Sequence, residues 1–366
     1  MYLTDHELYW YWLASTPRIG LKTMLHLLSA HVPLEELFLD QNHAAFQGAR
    51  IRKDTKDILK ARADKDILYE ELYGYEKEGI RVTTMLSNDH PALLKETIGP
   101  PTLLYIKGDL TRLTEKRIAM VGSRRASRRG LAEARKIAKE LAEAGVSVIS
   151  GMARGVDTAA HEGALEGKGI TVAVLGCGVD IIYPRESFAL YEKIVETGAV
   201  ISEYKPGAPP LAGNFPLRNR IMSGIAEGVI VGDAGLKSGA HITVRLACEE
   251  NRDVFAIPTG SGLETSILPN LLLAEGAPVC QDARDVLAYY NWGILEGEAE
   301  ASLPEGLDFS ETELYNLLLQ GDLDVQALIA YTKKSAAEIN LTLTKLELKG
   351  LVERLAGNMF GIKTLT

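Results

Sequence analysis

The chain has 366 residues, 46% of them hydrophobic and 24% charged, with a formal net charge of −9. That length accommodates two or three domains with a sizeable core, and the composition is that of an ordinary soluble globular protein, which excludes collagen-like and disordered chains. The acidity is uneven: residues 116–260 hold 19 Lys and Arg against 16 Asp and Glu, so an anion can approach the middle while the flanks repel it.

No run of about 18 apolar residues is present, and the start, MYLTDHELYWYW, has neither a basic segment nor an apolar one after it, so neither a membrane span nor a signal peptide is expected. Cys177, Cys248 and Cys280 lie far apart, form no CxxC pair and sit in apolar or small-residue surroundings. A cytoplasmic location is expected, and a metal site is not.

Residues 1–75 read as a helical domain, of the SAM or helix-hairpin-helix kind. Thr4-x-x-x-Leu8 opens an apolar run, Pro17-Arg18-Ile19-Gly20 breaks it, and Leu21, Met24, Leu25 and Leu28 resume at helical spacing. From 76 to 290, apolar runs at Ile118–Val121, Val146–Ile149, Ile170–Leu175, Ala199–Ser202, Val229–Val231 and Val254–Ile257 alternate with helix-like stretches. Runs apolar on both faces predict a Rossmann-like α/β domain, a doubly wound parallel sheet with helices on both sides. Residues 291–306 hold four glutamates, no basic residue and several Gly, Ala and Pro, which predicts a linker. Beyond it, Ser310-x-x-Glu313 and Ser335-x-x-Glu338 read as capping boxes, with Asp324 capping a helix between them. Leu351–Leu355, Ala356-Gly357-Asn358 and Met359–Ile362 read as a hairpin, so 307–366 is expected to be a winged helix.

In an open parallel sheet, ligands bind beyond the carboxyl ends of the strands. The first run of the middle region enters Gly122-Ser123-Arg124-Arg125, where glycine permits close approach, Ser123 offers a hydroxyl and arginines grip phosphate oxygens. A tight turn followed by a solvated arginine-rich helix start explains the same residues. The next loop supplies Gly151, Arg154 and Asp157, the last as an expected helix cap. His161-Glu162 opens like a zinc helix, but Leu165 stands where HExxH needs its second histidine, so His161 is read as structural. Phe215, Arg218, Asn219 and Arg220 combine a ring, guanidinium groups and an amide, as a single strand requires. The competing reading makes Phe215 a core residue and the arginines ion-pair partners, for which Glu203 is available. Lys237-Ser238-Gly239 forms a third anion-friendly loop before a helix from Ala240. No known catalytic spacing of Ser, His and Asp or of paired carboxylates is present, and no catalytic residue is assigned.

Together, Gly122-Ser123-Arg124, the run from Ser150 to Leu165, Val174–Gly178 with Tyr183-Pro184, Ser202-Glu203-Tyr204, Phe215–Arg220, Ala234–Thr243 and Val254–Pro258 resemble the DprA/Smf family in its order. The resemblance implies a non-enzymatic, dimeric single-stranded-DNA binder without cofactor, which contacts RecA and assists its loading during natural transformation. By matching position it places Arg124 on phosphate and Phe215 beside the strand, with Arg218 and Arg220 shaping the site. Departures from the family pattern are Asp233, where many members carry glutamate, and Leu211-Ala212-Gly213, where some place a lysine. A rival class is a nucleotide-binding or nucleotide-hydrolysing protein related to phosphoribohydrolases, whose PGGxGTxxE signature is absent. Residues 301–366 carry nine acidic and six basic residues, a poor balance for gripping duplex phosphates.

Overall fold

A computed structural model describes residues 3–49, 51–260, 262–293, 307–319, 323–355 and 359–362. They belong to two compact units, Met1–Ile294 and Leu295–Thr366. The first is built on eight strands: β1 (Ile80–Thr84), β2 (Leu103–Gly108), β3 (Arg117–Val121), β4 (Ser147–Ser150), β5 (Thr171–Val174), β6 (Ala199–Ser202), β7 (Gly228–Val231) and β8 (Asp253–Ala256). Their order is β1-β2-β6-β5-β4-β3-β7-β8. β3 to β8 run parallel, each on one of the six apolar runs, whereas β2 pairs antiparallel with β6 and β1 with β2. The antiparallel pair escapes a strand-then-helix pattern because β1 has only Ile80 and Val82 as apolar residues.

Helices α1 (Arg128–Glu143), α2 (Val156–Glu166), α3 (Phe188–Thr197), α4 (Asn214–Gly224) and α5 (Gly239–Glu249) connect the parallel strands. Side chains of a strand alternate between faces, so each strand serves two cores. Ile118, Met120, Val148 and Ile230 join Ala134, Ile137 and Leu141 of α1 and Ala160 of α2. Ala119, Val121, Val229 and Val231 point the other way, to Ile221 and Met222 of α4 and Ala240 and Val244 of α5.

The N-terminal helices add a third core at the antiparallel end of the sheet. Leu8, Trp12, Phe38 and Leu68 are buried with Leu103 and Tyr105 of β2 and Val200 of β6. Trp10, in the helix Asp5–Ala14, donates through its indole N–H to the Thr102 carbonyl at 2.7 Å, so the ring's one polar group is satisfied at the residue before β2.

The second unit has helices Phe309–Leu319, Val325–Thr332 and Ala336–Leu348 and an antiparallel pair, Val352–Arg354 with Met359–Ile362. Leu323–Asp324 pairs with the other edge of Met359–Ile362, completing a winged helix. Its own core contains Leu314, Leu328, Ile339, Leu343 and Phe360. Asp324 caps the second helix and Ser335 with Glu338 boxes the third, as their spacing predicts. The first box is corrected: Asp308 accepts from the Glu311 N–H at 2.9 Å and Glu311 from the Asp308 N–H at 2.7 Å, while Ser310 and Glu313 both engage Lys334. The hairpin turn Ala356-Gly357-Asn358 and most of the expected linker, 294–306, lie outside the described residues.

Because each unit holds its own core, a chain ending at Leu303 should unfold in one cooperative step with a midpoint within a few degrees of the full chain's first-unit transition. Circular dichroism melting checks this; a broad, non-cooperative melt of the shortened chain would contradict it.

Candidate nucleic-acid interface

The loops following β3, β4, β5 and β7 meet at one end of the sheet. The turn after β3 is clamped by backbone: Ser123 N–H donates to the Asp233 carbonyl at 2.6 Å, and the Ser123 carbonyl accepts from Val156 N–H at 3.3 Å. The buried Asp233 carboxylate accepts from Ser127 N–H at 2.8 Å, which fixes the start of α1. Gly155 passes this turn with φ +86°, and a Cβ there would lie 2.2 Å from the Ser123 carbonyl oxygen, so only glycine fits. It is also the cap of α2; Asp157, expected in that role, sits inside the first turn and accepts from Ala153 N–H at 3.4 Å.

This clamped turn projects Arg124 into solvent. Its guanidinium stands over the Phe215 ring, 5.8 Å from the centroid, and has no ion pair among the described residues. Phe215 comes from the first turn of α4, and the Tyr183 ring lies 5.5 Å from it at 42°. These residues border a cavity of about 530 Å³, with Gly122, Ser123 and Arg125 on one side and Ser238, Gly239 and Thr243 of the α5 start on another. Ser123 accepts from Arg125 N–H at 3.0 Å, which leaves its hydroxyl proton to donate. Ser238 makes no side-chain cap bond, and its hydroxyl and that of buried Thr243 have no hydrogen-bond partner among the described residues. The helix start therefore presents donors and a positive dipole end to the cavity.

The remaining candidates divide by what they already bind. Arg218 is buried; it donates to the Gly151 carbonyl at 2.8 Å, to the Val174 carbonyl, and to Asn219 Oδ1 at 3.2 Å. Asn219 in turn donates to the Gly239 carbonyl at 3.3 Å. A Cβ on residue 151 would lie 2.3 Å from the Arg218 guanidinium, so Gly151 makes room for the tie. Arg220 pairs with Glu203, the partner available in the sequence, and Arg154 pairs with Glu186. Lys237 is exposed on the loop before α5, and neither it nor Arg220 lines the cavity. Tyr183 borders the cavity although the sequence marks it only through the Tyr183-Pro184 pair.

Burial pushes the Asp157 carboxyl up to about 6, against the pull of the Arg218 and Arg124 charges. Burial likewise holds the Glu203 carboxyl above its ordinary range despite Arg220. His161 is buried, with Nδ1 2.7 Å from the Thr171 hydroxyl and Nε2 accepting from Met152 N–H at 3.3 Å. Burial and the Arg218 charge depress its pKa to about 3, keeping the ring neutral. Among the described residues there is no cluster of His, Cys, Asp and Glu fit to hold a metal, and no helix long and apolar enough to cross a membrane.

Residues 81–291, more than half of the chain, match the DNA recombination-mediator protein A family, and residues 298–358 match the DprA winged helix domain. The chain belongs to the DNA recombination-mediator protein A family. One relative, DNA processing protein DprA of Streptococcus pneumoniae, is 41% identical over 215 residues, covering 57% of this chain and 74% of that one. Some other DprA/Smf relatives are matched over only about half of their length. The X-ray structure of Streptococcus pneumoniae DprA superposes with a TM-score of 0.66 at 34% identity, covering 79% of this chain and 98% of that one. A Helicobacter pylori DprA structure, described for its single-stranded DNA binding mode, matches with a TM-score of 0.52 at 31% identity, covering 57% and 95%.

Two outcomes follow for this DprA-family site. Arg218→Leu strands the buried Gly151 and Val174 carbonyls and should cost about 2–5 kcal/mol in urea unfolding; a loss under about 0.5 kcal/mol, the range of ordinary surface changes, would refute the tie. Folded Asp157 keeps its proton to about pH 6, while its ordinary value is 3.8. Its proton-linked stability is thus complete below the ordinary value and is lost as pH rises through 6. The stability of Asp157→Asn relative to wild type should rise from pH 4 to pH 7, and urea unfolding across that range reads the sign.

Proposed function

We propose that this protein binds single-stranded DNA at the carboxyl end of its sheet and, as a non-catalytic cytoplasmic homodimer, helps load RecA during natural transformation. The observation that carries the DNA reading is the Arg124 guanidinium, without an ion pair among the described residues, held over Phe215 at the cavity mouth. An arginine with no carboxylate to satisfy it, set beside an aromatic face, suits a strand that offers phosphate and base together. Ser123, Arg125, Ser238 and Gly239 line the same cavity as further phosphate donors, with Gly122 allowing approach, and Lys237, exposed on the loop before α5, is a donor outside it. Arg218, Asn219 and Gly151 hold the frame, while Arg220 and Arg154 are neutralised by their own carboxylates. The resemblance to a protein described by its single-stranded DNA binding mode supports the reading. The acidic balance of 301–366 favours an accessory role for the winged helix.

Fluorescence anisotropy against one labelled oligonucleotide tests the assignment. Arg124→Ala should weaken all sequences and reduce the salt slope by about 0.7, one phosphate's share on a single strand. Phe215→Ala should cost about 1–3 kcal/mol with the slope nearly unchanged. Equal affinity for matched duplex would refute the single-strand reading, and release of free base from nucleoside monophosphates would replace it with the nucleotide-hydrolysing one. RecA nucleation on a coated single strand, slower without the protein than with it, checks the loading role.

A further inference from the structure

A second cavity of about 330 Å³ adjoins the first. The two share a wall made of Arg124, Ala153, Tyr183 and Phe215. Both volumes lie at the scale of small-molecule sites, about 300–1,000 Å³. Their chemistry differs. The first holds the α5 start with the unpartnered Ser238 and Thr243 hydroxyls, and suits an anion beside a base. The second is faced by Tyr183, Pro184 and Phe215; its Arg154 is already paired with Glu186, while the exposed Arg185 on its rim has no ion pair among the described residues. The two rings and the proline offer flat surface for a base, and Arg185 a cation for the phosphate beside it.

Tyr183 is 42% exposed, large for a ring so close to another, and so has area to offer a ligand. Bases on either side of one aromatic layer lie about 7 Å apart, twice the 3.4 Å stacking rise, a gap that adjacent nucleotides of an extended strand can span. Arg124 belongs to the wall, where the phosphate joining two such nucleotides would pass.

Resting on the single-stranded-DNA reading above, we infer that the site takes two consecutive nucleotides, one in each cavity, with the Phe215–Tyr183 pair as the partition. Tyr183 is the base-contacting residue of the second cavity and Arg124 holds the linking phosphate. The minimal ligand is therefore a dinucleotide step rather than a nucleotide.

Competition against a labelled oligothymidylate measures this with thymidine monophosphate, the 5′-phosphorylated dinucleotide of thymidine, and the two dinucleotides in which one base is replaced by an abasic site. The full dinucleotide should compete at least about tenfold better than the monophosphate, the share of one stacked base. Tyr183→Ala should remove about that factor from the full dinucleotide and nothing further from one of the two abasic dinucleotides, while Tyr183→Phe restores wild-type affinity. Melting curves of both variants confirm the fold. Equal competition by mononucleotide and dinucleotide overturns the inference, as does a Tyr183→Ala loss of the same size on all four competitors. If the labelled oligothymidylate itself fails to bind, the DNA reading falls and takes this inference with it; binding of the long strand without a dinucleotide advantage sinks the inference alone.

Discussion

A guanidinium withdrawn from water needs acceptors for its fixed fork of donors, and Arg218 finds them in backbone carbonyls at the ends of β4 and β5 and in the Asn219 amide. Asn219 passes the restraint on to the first carbonyl of α5. Three loops that share no sequence proximity are thereby held in one register. The surface of that frame is left to other residues: Arg124 and Phe215 face outward because Arg218 and Gly151 face inward. Positive charge at the site is thus split among Arg218, spent on backbone carbonyls, Arg154 and Arg220, spent on carboxylates, and Arg124, which has no ion pair among the described residues.

That division was only half legible in the sequence. The six parallel strands stand out because each is a short apolar run ended by a polar or glycine-rich turn, and the glycine loops mark the right end of the sheet. Glu203 stands out as a carboxylate available to the arginines of 218–220, but not which of them takes it, and nothing marks Glu186 as the partner of Arg154. Glu203 lies 17 residues before Arg220 and Glu186 lies 32 residues after Arg154, separations set by loop paths that no helical or strand period encodes. Arg218, Asn219 and Arg220 are adjacent in the chain, yet one is buried on carbonyls, one bridges to α5 and one meets a carboxylate. Tyr183 belongs to a motif that gives it no role by sequence alone, since only the fold brings its ring to Phe215. The capping box at 308–311 was misplaced by two residues because Asp, Ser and Glu in close succession satisfy the same pattern in two registers.

The chain's net negative charge and its proposed anionic ligand are compatible through placement. Electrostatic attraction falls off within about 10 Å at 0.1 M salt, so distant acidic residues matter little beside Arg124 and Arg125. Paired arginines such as Arg154 contribute almost no field, and counting basic residues along the sequence overstates the charge available to a ligand. The cavity's uncharged donors, the hydroxyls and the helix start, favour contact at short range.

The core shared by the N-terminal helices and the antiparallel end of the sheet bears on how the chain is made. Leu8 and Trp12 leave the ribosome well before Tyr105 and Val200, which complete their burial, the last of them nearly 190 residues behind Trp12. At roughly 5–20 residues per second, the aromatic cluster waits on the order of 10–40 s for its final neighbours. Closing a loop of that length is a slow, non-local step. A segment synthesised well ahead of its partners is therefore among the last to have its burial completed, and during that interval its tryptophans stand without their β2 and β6 neighbours.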